Sequence, residues 1–170
     1  MRLKEDFYRL SAPEMAPALL GKYLCVRAGN RVLRCVITET ECYYGTDDSA
    51  CHAAKGKTER NRVMFERGGV AYVYLCYGIH HMLNVVSGQE GHPEAVLIRG
   101  IEGYDGPGKL TRFMGITREL NGEDLMDSSR IWLEDGPPPS VVKALPRVGI
   151  EYAEERDRER LWRFVAKCFC

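Results

Sequence analysis

Three tyrosines fall within the six residues Tyr72-Val73-Tyr74-Leu75-Cys76-Tyr77, and Gly78 follows the third at once. The run 70–77 is rich in β-branched and aromatic side chains, so it reads as a strand. Residues two apart on a strand share a face, which points Tyr72 and Tyr74 one way and Tyr77 the other. Gly78-Ile79-His80-His81 reads as the turn and Met82-Leu83-Asn84-Val85-Val86 as the return strand. Tyr77 then sits near a hairpin tip, where a large ring has little core to join and suits contact with a partner.

A chain of 170 residues is long enough for one domain with a full hydrophobic core, and residues 1–170 read as that single domain. The apolar share of 45% and charged share of 28% are those of an ordinary soluble globular protein. A formal net charge of zero argues against indiscriminate nucleic-acid binding. The charges are uneven, however. Lys55, Lys57, Arg60, Arg62 and Arg67 face only Glu59 and Glu66 within the stretch 55–67. Seven cysteines, at 25, 35, 42, 51, 76, 168 and 170, lie scattered through apolar stretches without a Cys-x-x-Cys pair. That is not the pattern of a disulfide framework or a zinc site, and it reads as buried thiols in a reducing compartment. The first residues lack an apolar signal core and no apolar run could span a bilayer. The expectation is an intracellular protein, placed in the cytoplasm or nucleoid if its source is prokaryotic.

Along the chain, Ser11-Ala12-Pro13-Glu14 reads as a capping box opening a helix to Leu20, with Gly21 ending it and Pro17 placed to kink it. Residues 22–27 and 31–42 read as strands of a hairpin turning at Ala28-Gly29-Asn30. Residues 45–58 read as loop, 59–66 as a short helix, 95–99 as a buried strand and 109–115 as a helix. Residues 140–143 and 161–169 read as strands on either side of a charged segment. The fold class is α+β: a mostly antiparallel, hairpin-built sheet with flanking helices and a protruding β-hairpin.

The strand ending at Thr38-Glu39-Thr40-Glu41-Cys42-Tyr43 puts Glu39, Glu41 and Tyr43 on one face. Carboxylates at a strand end are commonly just solvated. Here the earlier part of the strand that delivers them, 32–37, is apolar except at Arg34. The run Ala95-Val96-Leu97-Ile98-Arg99, which reads as buried, carries an arginine that needs a carboxylate partner, Glu41 or Glu39. His52 lies in the following loop, Arg60-Asn61-Arg62 is a phosphate-contact candidate, and Asn84 on the return strand is either a ladder residue or a pocket wall.

Taken in order, these motifs resemble the alkyladenine (3-methyladenine) DNA glycosylases. The resemblance is carried by Glu39-Thr40-Glu41-Cys42-Tyr43-x-Gly45, Ala50-Cys51-His52, Arg60-Asn61-Arg62-x-Met64-Phe65, Tyr72-Val73-Tyr74-x-x-Tyr77-Gly78, Asn84 and Val96-Leu97-Ile98-Arg99. It extends to Gly106-Pro107-Gly108-Lys109-Leu110 and Pro146-Arg147-Val148-Gly149, and so spans nearly the whole chain.

The resemblance implies a monofunctional, monomeric DNA glycosylase acting on double-stranded DNA with a damaged purine, with no metal, cofactor or protein partner. The target nucleotide is flipped out at a cost of about a few kcal/mol. Tyr77 is then the wedge filling the vacated stack, and Tyr43, His52 and Tyr74 hold the flipped base, with Asn84 crowding the 2-amino group of guanine. Substrates are 3-methyladenine, 7-methylguanine, hypoxanthine and ethenoadenine. Glu41 is the catalytic carboxylate, activating water against C1′, with Arg99 orienting it and Glu39 as rival. No lysine adjoins Glu41, which argues against a Schiff-base mechanism. Arg60, Arg62 and Lys109 are the candidates for DNA backbone contact.

The chain departs from the family at Ile79-His80-His81, just beyond the wedge position, where members often carry another large apolar or aromatic side chain. It also stops at Cys168-Phe169-Cys170, so a shortened last strand is expected. Two other readings fit parts of the pattern: a damage-recognition module that flips bases without cutting, and a small-molecule hydrolase using Glu39 and Glu41 as a carboxylate pair.

Overall fold

In the computed structural model, which describes residues 1–167, strand periodicity sorts the side chains into a core face and a site face. The elements are α1 (Glu5–Tyr8), α2 (Ala12–Ala18), β1 (Tyr23–Ala28), β2 (Arg31–Tyr44), β3 (Ala71–Cys76), β4 (His80–Val86), β5 (Glu94–Ile101), β6 (Tyr104–Asp105), α3 (Pro107–Met114), β7 (Ile131–Glu134), β8 (Val141–Leu145), α4 (Glu155–Arg158) and β9 (Arg163–Lys167). Short 3₁₀ turns cover Arg62–Phe65 and Arg118–Leu120. The strand order is β3-β4-β5-β2-β1-β7, with β6 on β5, β9 on β2 and β8 on β9. Every described strand pairing is antiparallel. The molecule is a single compact α+β domain, as its hairpin-rich sequence predicts.

β2 is long enough to serve two parts of the sheet. Its first half pairs with β1 through the hairpin turn at Gly29-Asn30, and its second half pairs with β5 and β9. Even-numbered Cys42 on β2, Val96 and Ile98 on β5, and odd-numbered Ala71, Val73, Leu83 and Val85 on β3 and β4 face the main core. Tyr8, Met15, Leu19, Leu110 and Met114 cover them from the helical side. The alternate residues, Tyr72, Val86 and Ala95, join Cys51, Ala53, Val63 and Met64 in a second cluster beneath the 45–66 loop. This two-sided sorting positions the site.

The capping box over α2 forms: the Ser11 N–H and hydroxyl both donate to the Glu14 carboxylate, at 3.0 and 2.6 Å. Pro17 lies in the last turn, and the helix ends one residue beyond it. The expected helix at 59–66 shrinks to the 3₁₀ turn Arg62–Phe65, because Thr58 and Asn61 hold its entry in a tight turn. The tyrosine hairpin turns earlier than expected. Tyr77, Gly78 and Ile79 form the tip, while His80 and His81 belong to β4 and pair with Cys76 and Leu75. Strand β7 was not expected, since Ile131-Trp132-Leu133 is too short an apolar run beside Pro137-Pro138-Pro139 to mark a strand alone.

Cys25, Cys35, Cys42, Cys51 and Cys76 are free thiols. Burial pushes Cys25 and Cys51 up to about 12, so they are inert as nucleophiles at neutral pH. Cys168, Cys170 and the expected strand continuation through Phe169 lie outside the described residues.

Candidate active site

The site face of the sheet opens into a cavity of about 550 Å³. Tyr43 from β2, Tyr74 from β3, Asn84 from β4 and Arg99 from β5 line it, together with His52 and Arg60 from the loop and Tyr77 at the hairpin tip. Seven residues singled out in the sequence therefore meet in one place. Arg62 and Lys109 do not line it. Arg62 borders a separate surface cleft with Glu59 and Glu66, and lies 3.7 Å from the Glu59 carboxylate. Lys109 is exposed on α3, which packs beside β4 and β5.

Glu41 is wholly buried immediately behind the cavity wall, and its carboxylate contacts three of the lining residues. Oε2 accepts from the Tyr43 hydroxyl at 2.8 Å, Oε1 accepts from the Val148 N–H at 2.9 Å, and Arg99 Nε lies 3.3 Å away. Arg99 also donates to Glu39 at 3.1 Å, so the guanidinium bridges both carboxylates. A bulge in the β2–β5 pairing makes this possible: Glu39 pairs with Gly100 and Thr40 with Ile98, leaving Arg99 out of register. Arg163 on β9 approaches Glu39 at 3.2 Å from the other side.

Burial raises the Glu41 carboxyl above its ordinary value, and Arg99, the Val148 N–H, the Tyr43 hydroxyl and Arg147 each pull it back toward ionisation. A carboxylate desolvated yet held by donors is a stronger proton acceptor than one in water. Burial and the neighbouring Glu41 charge push the Tyr43 phenol well up, so it stays a hydrogen-bond donor.

The aromatic wall is layered. The His52 ring packs edge-on to Tyr74 with centroids 4.5 Å apart, and Tyr74 leans on Tyr72 at 5.4 Å. His52 Nδ1 lies 3.2 Å from the Tyr72 hydroxyl. Enclosure by these rings, and next the charge of Arg60, hold His52 below its ordinary pKa, so it is neutral at neutral pH. The His52 N–H meets no acceptor among the described residues and is free for a ligand.

Three supporting residues, Arg147, Asp48 and Tyr152, carry no role in the sequence, and a fourth, Asn61, reads there only as part of a phosphate-contact stretch. Arg147 is buried and makes a two-pronged ion pair with Asp48, at 2.6 and 2.8 Å, while donating to the Cys42 carbonyl at 2.9 Å. Its guanidinium lies 5.0 Å from the centre of the Tyr43 ring. Asp48 also accepts from the N–H groups of Tyr44 and Ala50. Asn61 is a buried latch: its amide donates to the carbonyls of His52 and Gly56 at 3.0 and 2.9 Å. Tyr152 stands exposed at the cavity rim, its hydroxyl donating to the Ala50 carbonyl at 2.8 Å. An arginine directly before the Val148 backbone donor was the one available signal in sequence.

Tyr77 has 90% of its surface exposed and a φ of 52°. Gly78 follows at 66°, and the Ile79 N–H closes the turn onto the Cys76 carbonyl. A left-handed tyrosine costs about 1 kcal/mol relative to a right-handed one, yet it aims an uncommitted ring beside the cavity mouth.

These features can be set beside known proteins. Residues 6–105 and 102–168 match the family described as Methylpurine-DNA glycosylase (MPG). A protein from Methanocella arvoryzae, provisionally named 3-methyladenine DNA glycosylase, is 46% identical over 97% of this chain and 92% of its own length. Relatives with the same provisional name from an Anaeromyxobacter species and Psychrobacter cryohalolentis are 45% and 41% identical, over 97% and 96% of this chain and 89% and 91% of theirs. A profile spanning nearly every residue, together with relatives this similar at full length, means that the chain belongs to the methylpurine-DNA glycosylase family.

Proposed function

We propose that this DNA N-glycosylase of base-excision repair extrudes a damaged purine nucleotide from duplex DNA and hydrolyses its N-glycosidic bond with water activated by Glu41. The carrying observation is the cavity itself. Glu41 touches its wall through Tyr43, Val148 and Arg99, while the strained, exposed Tyr77 stands at its rim.

The flipped base stacks on Tyr43, His52 and Tyr74, the free N–H of His52 meets an acceptor on the purine, and Asn84 walls the far side. Asn84 is fixed for this by donating to the Tyr72 carbonyl at 3.2 Å. Tyr77 fills the gap left in the stack. At C1′ the water oxygen forms the new bond as the C1′–N bond breaks with its electron pair going to the base, and Glu41 takes the water proton. Its charge also stabilises the cationic sugar of the transition state. Glu39 is the weaker candidate because two guanidinia already share its carboxylate. The unit is the single domain of residues 1–170, working inside the cell as a monomer, with 3-methyladenine, 7-methylguanine, hypoxanthine and ethenoadenine as its substrate class.

Single-turnover excision of hypoxanthine and ethenoadenine from otherwise identical duplexes tests this. Glu41→Gln is expected to bind the lesion duplex as wild type does while excision falls by about 10²–10⁴. Wild-type activity should fall as pH drops through the Glu41 pKa, and that limb should lie above the ordinary carboxyl value of 4.5, because burial raises the group. Excision by Glu41→Gln at the wild-type rate would move the role to Glu39, and lesion binding without any wild-type release would end the hydrolytic reading.

A further inference from the structure

Among the described residues three guanidinia adjoin the cavity, and two of them are neutralised. Arg99 sits between Glu39 and Glu41, and Arg147 is paired with Asp48. Arg60 lines the wall with no carboxylate within ion-pairing distance. Its Nη2 donates to the Leu75 carbonyl at 3.0 Å, which fixes the group against β3. Its Cζ lies 5.9 Å from the centre of the Tyr74 ring, on the wall against which the base is proposed to stack. The Arg60 charge reaches both His52 and Tyr72: it adds to the burial that lowers the His52 pKa, and it partly opposes the burial that pushes the Tyr72 phenol up to about 12.

We propose that Arg60 is a specificity-determining residue that favours neutral damaged purines over cationic alkylpurines. When the C1′–N9 bond breaks, its electron pair leaves with the base. A neutral purine such as hypoxanthine therefore gains negative charge on departure, whereas an N3- or N7-alkylated purine starts positive and departs neutral. Relative to free enzyme and DNA, a cation with no carboxylate partner stabilises the negative charge that the first develops, and repels the second from binding up to a transition state that still carries part of its positive charge. The aromatic faces of Tyr43 and Tyr74 attract cations and act in the opposite sense, so Arg60 offsets a preference that the rings alone would impose. In both cases water supplies the new C1′–O bond and Glu41 receives its proton. That proton neutralises the departing purine anion in the first case and passes to solvent in the second. The inference rests on the base-excision reading and adds the direction of its lesion selectivity.

The test uses the full chain and two duplexes differing only in one nucleotide, hypoxanthine or 7-methylguanine, at subsaturating enzyme. Arg60→Gln should shift the hypoxanthine-to-7-methylguanine rate ratio roughly three- to tenfold toward 7-methylguanine, the size of one like-charge interaction at this separation in a partly solvated site. Arg60→Lys, which keeps the charge, should hold the ratio near wild type, and Arg62→Gln should leave the ratio unmoved. Arg60→Gln slowing both lesions by one factor would reduce Arg60 to a phosphate contact and overturn the proposal. So would a Lys variant that shifts the ratio as far as Gln does. Failure of the wild type to release either base is a different result, and it sinks the base-excision reading together with this inference.

Discussion

Tyr77 shows most plainly how a single residue trades stability for contact. A bulky side chain in the left-handed region is rare and persists where its surroundings hold it, and here the hydrogen bond from the Ile79 N–H to the Cys76 carbonyl does so at 3.1 Å. Tyr77→Gly is expected to raise stability by about 0.5–1 kcal/mol, because glycine adopts positive φ freely. The same change should weaken capture of a lesion duplex. Denaturant melts and lesion-binding isotherms read the two effects separately, and a variant that loses stability would show that the ring packs on the protein. The alternation of Tyr72, Tyr74 and the strand identity were legible in the sequence because they are local. The turn was not: residues 78–81 all tolerate a loop, and the choice between tips depends on where Leu75 and Cys76 find partners across the hairpin.

At the scale of elements, the 45–66 loop carries His52 and Arg60 without a regular element until its 3₁₀ turn, so its shape depends on side-chain latches. Asn61 supplies the main one, accepting from the Thr58 N–H at 2.7 Å while donating to two carbonyls. Asn61→Ala leaves those groups unpaired and is expected to cost about 1–3 kcal/mol, with lesion affinity falling as the His52 wall loosens. Hydrogen exchange across the loop, alongside thermal melts, checks this. Unchanged exchange would mean that the Asp48 contacts alone hold the loop. In the sequence, Arg60-Asn61-Arg62 reads as three polar residues suited to phosphate. Burial divides them, sending Asn61 inward, Arg60 to the cavity and Arg62 to the far surface.

Across the whole molecule, the Arg147–Asp48 pair ties the C-terminal segment to the end of β2 and to the loop. Both side chains are fully buried, and the guanidinium is flanked by the rings of Tyr43 and Trp162 at 5.0 and 5.1 Å. Asp48→Ala strands a cation in the interior and is expected to cost about 3–5 kcal/mol, a large share of the stability of one domain. Urea unfolding measures it, and a loss under about 1 kcal/mol would show that water reaches the site.

By itself the sequence determined which residues share a strand face, that the sheet is built from hairpins, and the family to which the chain belongs. Each of these rests on periodicity, on turn chemistry or on the order of motifs along the chain. The tertiary structure alone decided that Glu41 is buried against the cavity wall, that Val148, far along the chain, donates to it, that Arg99 serves two carboxylates, and that Arg60 lines the cavity with no carboxylate partner among the described residues. Desolvation and ion pairing act between segments that meet only when β2 curls from one part of the sheet to the next, and no local pattern of residues encodes that meeting.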